Sequence, residues 1–567
     1  MKKNILIKGV AAVLLAGSLG SCSSDYLQLA PETSISNSTV ESSVEGAQLA
    51  LYGICRSMYM QYGNTEGYIF LNGEPTYATF YGDVMSADYY YALWADRPAH
   101  FTNWSLYQNY NNWLNGFAWM YPYNLIAQAN TILEGIDTAE GDEKTRDFIK
   151  AQALTFRAHG YWRLLELFAP RWEDSDNGKA MSVVLRDKPG VDGAPRVDMN
   201  TILNLIYSDL DTAIGLYESC GKSRAHTWEP DLSVAQATYA RVAILKHDYP
   251  KAQAMAKAAR AKYPIMSADE YKDGFAEENG EWMWSNYNNP TANYVYYFSW
   301  GAQYACNGAY ISFWGRGSGS ISIDLYREAA AHFGKEDVRC KLFWTPDALD
   351  DVVPVSVKGK RLKGYMFWEE RFTDPSNMNM NKESTMTRSV NWLGNELMPA
   401  GGIDKWTRKA YTPDSDGESG TFVIPFGANY KFWALGTYSN TQFPFLRASE
   451  MLLTEAEAAY YNNDLTTARA CLEELNNKRT TGYTCNLSGQ ELLDEIRVCR
   501  RIELWGEGHN WFDYKRWNIP MERRAWVKGD PTSGSWPLTM AWKHETDYVK
   551  GWTMAIPITE VDYNPDL

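Results

Sequence analysis

In Ile496-Arg497-Val498-Cys499-Arg500-Arg501-Ile502-Glu503-Leu504-Trp505-Gly506-Glu507-Gly508-His509-Asn510-Trp511-Phe512-Asp513-Tyr514-Lys515-Arg516-Trp517, an amphipathic helix runs into a knot of rings and charges. Leu493, Ile496, Cys499, Ile502 and Trp505 recur at three-residue steps, which keeps them on one slowly drifting helical face. Asp494, Glu495, Arg497, Arg500 and Arg501 fill the rest. Gly506 and Gly508 stop the helix, because glycine takes the left-handed conformation a helix end needs. Trp511, Phe512, Tyr514 and Trp517 then crowd beside Asp513, Lys515 and Arg516.

Glu503 and Glu507 lie four apart and could share one helical face, which raises the question of a catalytic pair. A retaining glycosidase needs two carboxyl groups about 5–5.5 Å apart, on either side of the scissile bond. Two neighbours on one helix point the same way. A general acid also needs a raised pKa, and Arg500 and Arg501 close by favour ionised carboxylates. The pattern predicts a structural role: Glu503, Glu507 and Asp513 pair with Arg500, Arg501 and Arg516 and lock a helix end under aromatic rings.

The pattern Arg500-Arg501-x-Glu503-Leu504-x-x-Glu507-Gly508-x-x-x-Phe512-Asp513-x-x-Arg516-Trp517 resembles the C-terminal signature of the SusD/RagB family. The closing segment Ile556-Pro557-Ile558-Thr559-Glu560-Val561-Asp562-Tyr563-Asn564-Pro565-Asp566-Leu567 resembles the end of the same family. So do Tyr121-x-Tyr123-Asn124-x-Ile126-x-x-Ala129-Asn130-x-x-Leu133 and Ala151-Gln152-Ala153-x-x-Phe156-Arg157-Ala158-x-x-Tyr161-x-x-Leu164. The resemblance implies a mostly α, SusD-like fold. Four irregular tetratricopeptide (TPR)-like helix pairs would pack against a loop-rich, ligand-binding part. It also implies a surface-exposed outer-membrane lipoprotein that captures nutrients for a SusC-like TonB-dependent transporter, with the TPR side towards that transporter.

The N-terminus reads as a targeting segment. Lys2, Lys3 and Lys8 precede a short apolar run, Val10 to Leu15, too short to cross a bilayer. Leu19-Gly20-Ser21-Cys22 follows and looks like a bacterial lipobox. The expectation is a signal peptide over residues 1–21, lipidation at Cys22, and a Ser-rich flexible tether to residue 41. Multiple acyl chains, at about 0.8 kcal/mol per buried CH₂, hold such a protein firmly on the membrane. The body, 42–567, is expected as a single globule that meets the membrane through its anchor only.

The formal net charge is −15 and no long Lys/Arg run occurs, so no nucleic-acid partner is expected. An acidic protein can still bind a neutral glycan. Seven cysteines follow Cys22, an odd number with no C-x-x-C motif, and Cys55, Cys471 and Cys499 fall within helical patterns as small buried hydrophobes. The seven histidines are scattered, and no metal site or cofactor is expected.

Helices are predicted at about Val44 to Tyr62, Trp113 to Ile136 and Glu143 to Phe168, where Pro170 marks the end. Degenerate TPR pairs follow in Ala235 to Pro264, with Ala240 and Ala252 as the small contacts, and in Phe445 to Arg479, with Ala456 and Ala468. Small residues suit antiparallel helices that approach closely, and stacked pairs bury faces that no pair buries alone. The helical part is thus placed mainly in 42–62, 113–262 and 445–506. Residues 63–112 and 265–445 are rich in Gly, Asn, Pro, Trp and Tyr, show little helical period, and read as loops and short strands.

The chain holds 23 Trp and 38 Tyr, more ring surface than its core needs. Two clusters in the loop-rich part mix rings with amides, carboxylates and guanidinium groups, a composition suited to sugars. A pyranose lays its C–H face on a ring while planar polar groups take its hydroxyls. Covering about 50 Å² of apolar sugar face at ~25 cal/mol/Å² contributes roughly 1 kcal/mol, so several platforms are needed. The candidate contacts are Asp83, Tyr90, Trp94, Arg97, Asn103 and Trp104 from the first cluster, and Tyr296, Trp300, Tyr310 and Trp314 from the second. Gly315-Arg316-Gly317-Ser318-Gly319-Ser320 lacks the lysine of a phosphate-binding loop, which argues against a nucleotide. The expected function is capture of an oligo- or polysaccharide for the SusC-like transporter, with no catalytic residue. The rivals are a peptide-binding relative of the same transport system and a glycan-cleaving enzyme.

Overall fold

The computed structural model describes residues 42–60, 71–90, 110–190, 192–272, 275, 277–286, 300–305, 319–343, 386–388, 406–410, 422–424, 429, 431–432, 441–525, 527, 530, 532–534, 536, 541–547 and 552–567. Its long helices mostly begin on a side chain that accepts from their own first turn. Helix α1 (Val44–Ser57) starts on Ser43, α2 (Trp113–Gly135) on Asn112, and α3 (Glu143–Phe168) on Asp142. Asp198 caps α4 (Met199–Cys220), Asp231 caps α5 (Leu232–Leu245) and Asp248 caps α6 (Tyr249–Arg260). Ser322 caps α7 (Ile323–Phe333). Beyond α8 (Ala448–Tyr461), Asp464 caps α9 (Leu465–Asn476). The last two are α10 (Gly489–Glu503) and α11 (Asn510–Trp517). Such a cap contributes about 1 kcal/mol by satisfying a backbone N–H that the helix leaves open.

The helices pack in a continuous run: α1 on α2, α2 on α3, α3 on α4, α4 on α5, α5 on α6, α6 on α8, α8 on α9 and on α10. The stack therefore passes from α6 to α8 across the whole loop-rich insertion. Buried or half-buried polar pairs seal that joint. Arg241 of α5 donates to both oxygens of Glu450 on α8 at 2.7 and 2.6 Å, and Arg260 of α6 donates to Glu455 at 2.8 Å. Gly160 sets the spacing of α2 and α3. A Cβ there would stand 2.8 Å from Ile126 Cγ1 and 3.0 Å from the Pro122 carbonyl.

The two predicted TPR pairs share one turn. In each, a left-handed residue precedes an Asp cap: His247 (φ 60°) before Asp248, and Asn463 (φ 61°) before Asp464. The Asp N–H donates five residues back in both, to Ala243 O and Ala459 O at 2.8 Å. Ala240, Ala252, Ala456 and Ala468 are all fully buried, as expected of close helix crossings.

The strands are short and all antiparallel. They are β1 (Tyr89–Tyr90), β2 (Met181–Val184), β3 (Arg196–Asp198), β4 (Trp282–Ser285), β5 (Ser320–Ile321), β6 (Met386–Arg388), β7 (Trp406–Ala410), β8 (Phe422–Ile424), β9 (Pro444–Arg447), β10 (Met521–Arg523) and β11 (Trp542–His544). They pair as β1–β5, β2–β3, β4–β9, β6–β7–β8 and β10–β11. The β4–β9 ladder matters most for the stack, because Trp282 opposite Arg447 delivers the chain directly into α8.

Three expectations need correction. First, α1 ends at Ser57 rather than running to Tyr62. The Met58 carbonyl accepts from Glu74 N–H at 2.7 Å, and Gly73 packs so tightly there that a Cβ would lie 2.2 Å from that oxygen. Second, the part read as loop over 63–112 contains a helix, Gly73–Thr76 continuing as a π-helix over Tyr77–Val84, in which every residue is buried. A helix enclosed on all sides has no polar face and so shows no helical period. Third, the 265–445 part contains α7 and the short helices Ala268–Tyr271 and Val338–Lys341.

Six cysteines, Cys55, Cys220, Cys340, Cys471, Cys485 and Cys499, are buried free thiols. Among the described residues, no helix is long and apolar enough to cross a membrane.

Candidate functional site

The C-terminal stretch forms a buried ionic cluster rather than a pair of catalytic acids. Glu503, the last residue of α10, accepts from Arg479 at 2.8 and 2.9 Å and from Arg447 at 2.9 Å. Glu507 accepts from Arg447 at 2.6 and 2.9 Å and from Lys431 at 2.5 Å. Burial alone would raise the Glu503 carboxyl, but the Arg479 and Arg447 guanidiniums outweigh it and hold the group well below the usual carboxylate range. A general acid needs the opposite shift.

The partners differ from those expected. Arg500 and Arg516 do pair with Asp513, at 2.7 and 2.8 Å. Glu503 and Glu507, however, take cations from β9, from the end of α9 and from Lys431, far away in sequence. Arg501 binds Asp88 through two hydrogen bonds, at 2.8 and 2.6 Å. The last turn of α10 is thus buried on its charged side, through Arg500, Arg501 and Glu503, as well as on its apolar one.

Beyond α10 the chain turns through Gly506 and Gly508, whose φ angles are 79° and 90°. The turn grips the π-helix. Gly508 N–H donates to Asp83 Oδ2 at 2.5 Å, and a Cβ on Gly82 would sit 2.2 Å from the Gly508 carbonyl. Trp505 is the hub of this contact. Its Nε1 donates to the Asp88 carbonyl at 3.0 Å, Tyr89 stacks on it at 4.7 Å, and Phe343 meets it edge-on at 4.8 Å.

This hub holds the roots of both aromatic segments. In the β1–β5 ladder Tyr90 lies opposite Ser320. Residues 90 and 320, far apart in sequence, are thus direct neighbours. Gly319 closes against Tyr89 so tightly that a Cβ would stand 1.8 Å from the Tyr89 hydroxyl oxygen. Asn429 Nδ2 donates to the Gly319 carbonyl at 2.8 Å, and Ser322 N–H donates to the Asp88 carbonyl at 3.0 Å.

Two of the predicted glycan contacts are corrected. Asp83 is fully buried; burial pushes its carboxyl well above the usual range, against the Gly508 N–H that lowers it. It fixes the signature turn rather than facing a ligand. Trp300 is 1% exposed, donates from Nε1 to Thr79 Oγ1 at 2.8 Å, and packs on Tyr304, Phe432 and Phe443. It is a core ring. Tyr90 has a described backbone in β1. Trp94, Arg97, Asn103, Trp104, Tyr296, Tyr310, Trp314 and the lipidation residue Cys22 lie outside the described residues. Sequence reasoning gave Arg501 the wrong acids and gave Trp505 and Gly319 no anchoring role, because their partners are distant in sequence.

A groove between α7 and α10 is lined by Glu328, His332, Tyr483, Glu491, Asp494, Glu495, Arg497 and Arg501 and carries no tryptophan. Its one aromatic side chain besides His332 is Tyr483, so it offers a single phenol ring where a polymer needs several platforms.

Two family models match the chain: "SusD family" over residues 427–567, and "Starch-binding associating with outer membrane" over residues 25–244. The first spans the signature stretch, its hub and the closing segment. The chain belongs to the SusD/RagB family. A SusD-like protein of Bacteroides ovatus is 22% identical over 543 residues, covering 91% of this chain and 83% of that one. Among solved structures, a SusD-like carbohydrate binding protein from Bacteroides vulgatus superposes with a TM-score of 0.66 at 18% identity, over 93% of this chain and 97% of the other. A SusD superfamily protein from Bacteroides thetaiotaomicron gives 0.63 at 20% identity, over 92% and 98%. At these identities the likeness shows the SusD fold.

Proposed function

We propose that this SusD/RagB protein is a cell-surface, lipid-anchored binder of an oligo- or polysaccharide, which it passes unchanged to a SusC-like TonB-dependent transporter in the outer membrane. The observation that carries the reading is the β1–β5 ladder, which sets Tyr90, at the start of one aromatic-rich stretch, opposite Ser320, just beyond the end of another. A polymer needs several ring platforms in one place, and a shared root on a rigid support is how loops supply them. The relatives whose names mention starch or carbohydrate binding support the same reading. Tyr90, Trp94, Arg97, Asn103 and Trp104 would act with Tyr296, Tyr310 and Trp314. Cys22 would carry the acyl chains.

Affinity electrophoresis and calorimetry across purified polysaccharides test this. The expected outcome is binding of at least one glycan without release of reducing sugar. Trp94→Ala or Trp314→Ala should weaken it about 5-fold or more, as loss of one stacked sugar contact worth roughly 1 kcal/mol implies. Binding of peptides but no glycan would replace this reading with the peptide-binding one. Reducing-sugar release would replace it with the enzyme. Cys22→Ala should move the protein from the membrane fraction to the soluble one, and co-purification with a SusC-like transporter from solubilised membranes tests the delivery step.

A further inference from the structure

We propose that the cavity enclosed by α3, α5, α8 and α11 is a binding site for one small tetrahedral oxyanion of the sulfate or phosphate class, on the helical stack and separate from the aromatic segments. The cavity measures about 50 Å³. Its walls include Trp162, Trp172, Arg171, Arg241, His509 and Lys515.

Arg171 and Arg241 are 6% and 5% exposed, and each keeps its Nη1 buried with no hydrogen-bond partner. Their other nitrogens are committed. Arg171 Nε donates to Asp174 at 2.7 Å and its Nη2 to the Thr546 carbonyl. Arg241 Nε donates to Glu450 at 2.7 Å, and its Nη2 donates to the Phe445 carbonyl and to Glu450, both at 2.6 Å. Leaving a buried charged donor open is unfavourable, and an acceptor placed between the two guanidiniums removes that penalty.

A third donor comes from α11: burial pulls the Lys515 ammonium down to about 7, so it is fully charged only below neutral pH. Lys515 Nζ donates to the Glu166 and Ala169 carbonyls at 2.6 and 2.8 Å, and an ammonium has a third proton to give. The carboxylates on the wall have cationic partners: Glu166 meets Arg163 at 2.7 Å, though burial still pushes it up to about 7, Glu450 meets Arg241, and Asp513 meets Arg500 and Arg516. The field at His509 is accordingly positive. Burial, and after it Arg500 and Arg241, pull its imidazole well below the ordinary value. Guanidinium and ammonium donors from three separate elements suit an ion with acceptor oxygens on all sides, and the volume leaves no room for a sugar ring beside it.

The test is isothermal titration of the full chain with sodium sulfate and with inorganic phosphate, against sodium chloride at equal ionic strength. Glucose 6-sulfate and glucose 6-phosphate, against glucose, form the second arm. Saturable binding of an inorganic ion at one equivalent, lost at least 10-fold in Arg171→Met, supports the site for a free ion. The same pattern with the sugar esters alone assigns the anion to a substituted sugar whose ester group enters the cavity. Binding should survive in Trp94→Ala and Trp314→Ala, so failure here and failure of the glycan reading are distinguishable. Should Arg171→Met not fold, Trp172→Phe at the wall gives a second readout, because anion binding should change tryptophan fluorescence less in that variant. No saturable binding of any of the four anions, or equal binding by Arg171→Met, overturns the proposal.

Discussion

At the residue scale, Arg447 shows how this family's signature works. It is 1% exposed and binds Glu281, Glu503 and Glu507 at once. Desolvating such a group is costly, and three carboxylates in good geometry offset the cost. Removing the guanidinium leaves Glu281 buried without its cation and takes one cation each from Glu503 and Glu507. Arg447→Met is therefore expected to lose about 3–5 kcal/mol of stability, read as a lower midpoint in guanidinium chloride unfolding. Glycine at position 82 is needed for a different reason. Its Cβ position is occupied by the Gly508 backbone, which has no flexible end to move aside. Gly82→Ala should separate the π-helix from the signature turn and lower the unfolding midpoint, while Gly116→Ala, with nothing within 4 Å of its Cβ, should not.

At the element scale, the two TPR pairs make a comparison possible inside one chain. Asp248 and Asp464 cap equivalent helices after equivalent left-handed residues, accepting from Lys251 and Thr467 N–H at 3.3 and 3.2 Å. Each also bonds a neighbour: Tyr207 reaches Asp248 and Gln253 reaches Asp464. Asp248→Ala and Asp464→Ala should each cost about 1 kcal/mol, and the two losses should agree within a factor of two. Chemical denaturation of the two variants checks this, and a large inequality would show that the pairs are not structurally equivalent. The helices that the sequence marked clearly, α2, α3, α5, α6, α8 and α9, had caps, small-residue contacts or proline stops to announce them. The Gly73–Val84 helix had no side-chain cap and no polar face to announce it, since its surroundings on every side are protein.

At the scale of the whole molecule, buried acids tie segments that lie far apart in sequence. Glu74 joins the π-helix region to Arg163 of α3, and Glu503 joins α10 to β9 and to the end of α9. For both acids burial alone would raise the pKa, but the facing cations, Arg163 and Arg479 foremost, pull it well below the ordinary 4.5. A folded-state pKa below the unfolded one means that the unfolded chain binds more protons as pH falls. The stabilisation is complete above about pH 4.5 and is lost on acidification below it. Urea midpoints measured from pH 6 to pH 3 should fall steeply below pH 4.5, and the fall should be shallower in Glu503→Gln. A flat profile would show that these pairs contribute little to folding.

The sequence by itself determined the family, the mostly helical class, the TPR-like pairs and the structural rather than catalytic use of Glu503 and Glu507. Those features rest on local patterns: apolar period, caps, small residues at crossings, and a signature whose charges lie within a few turns of one another. Only the tertiary structure decided which cation each acid meets, that Asp83 and Trp300 belong to the interior, and that residues 90 and 320 lie side by side. Each depends on contacts beyond any local window: 24 to 76 positions for the cations of Glu503 and Glu507, and more than 200 for Asp83, Trp300 and the pairing of residues 90 and 320. Burial and pairing at that range are set by how the stack closes, and no local pattern in the chain encodes them.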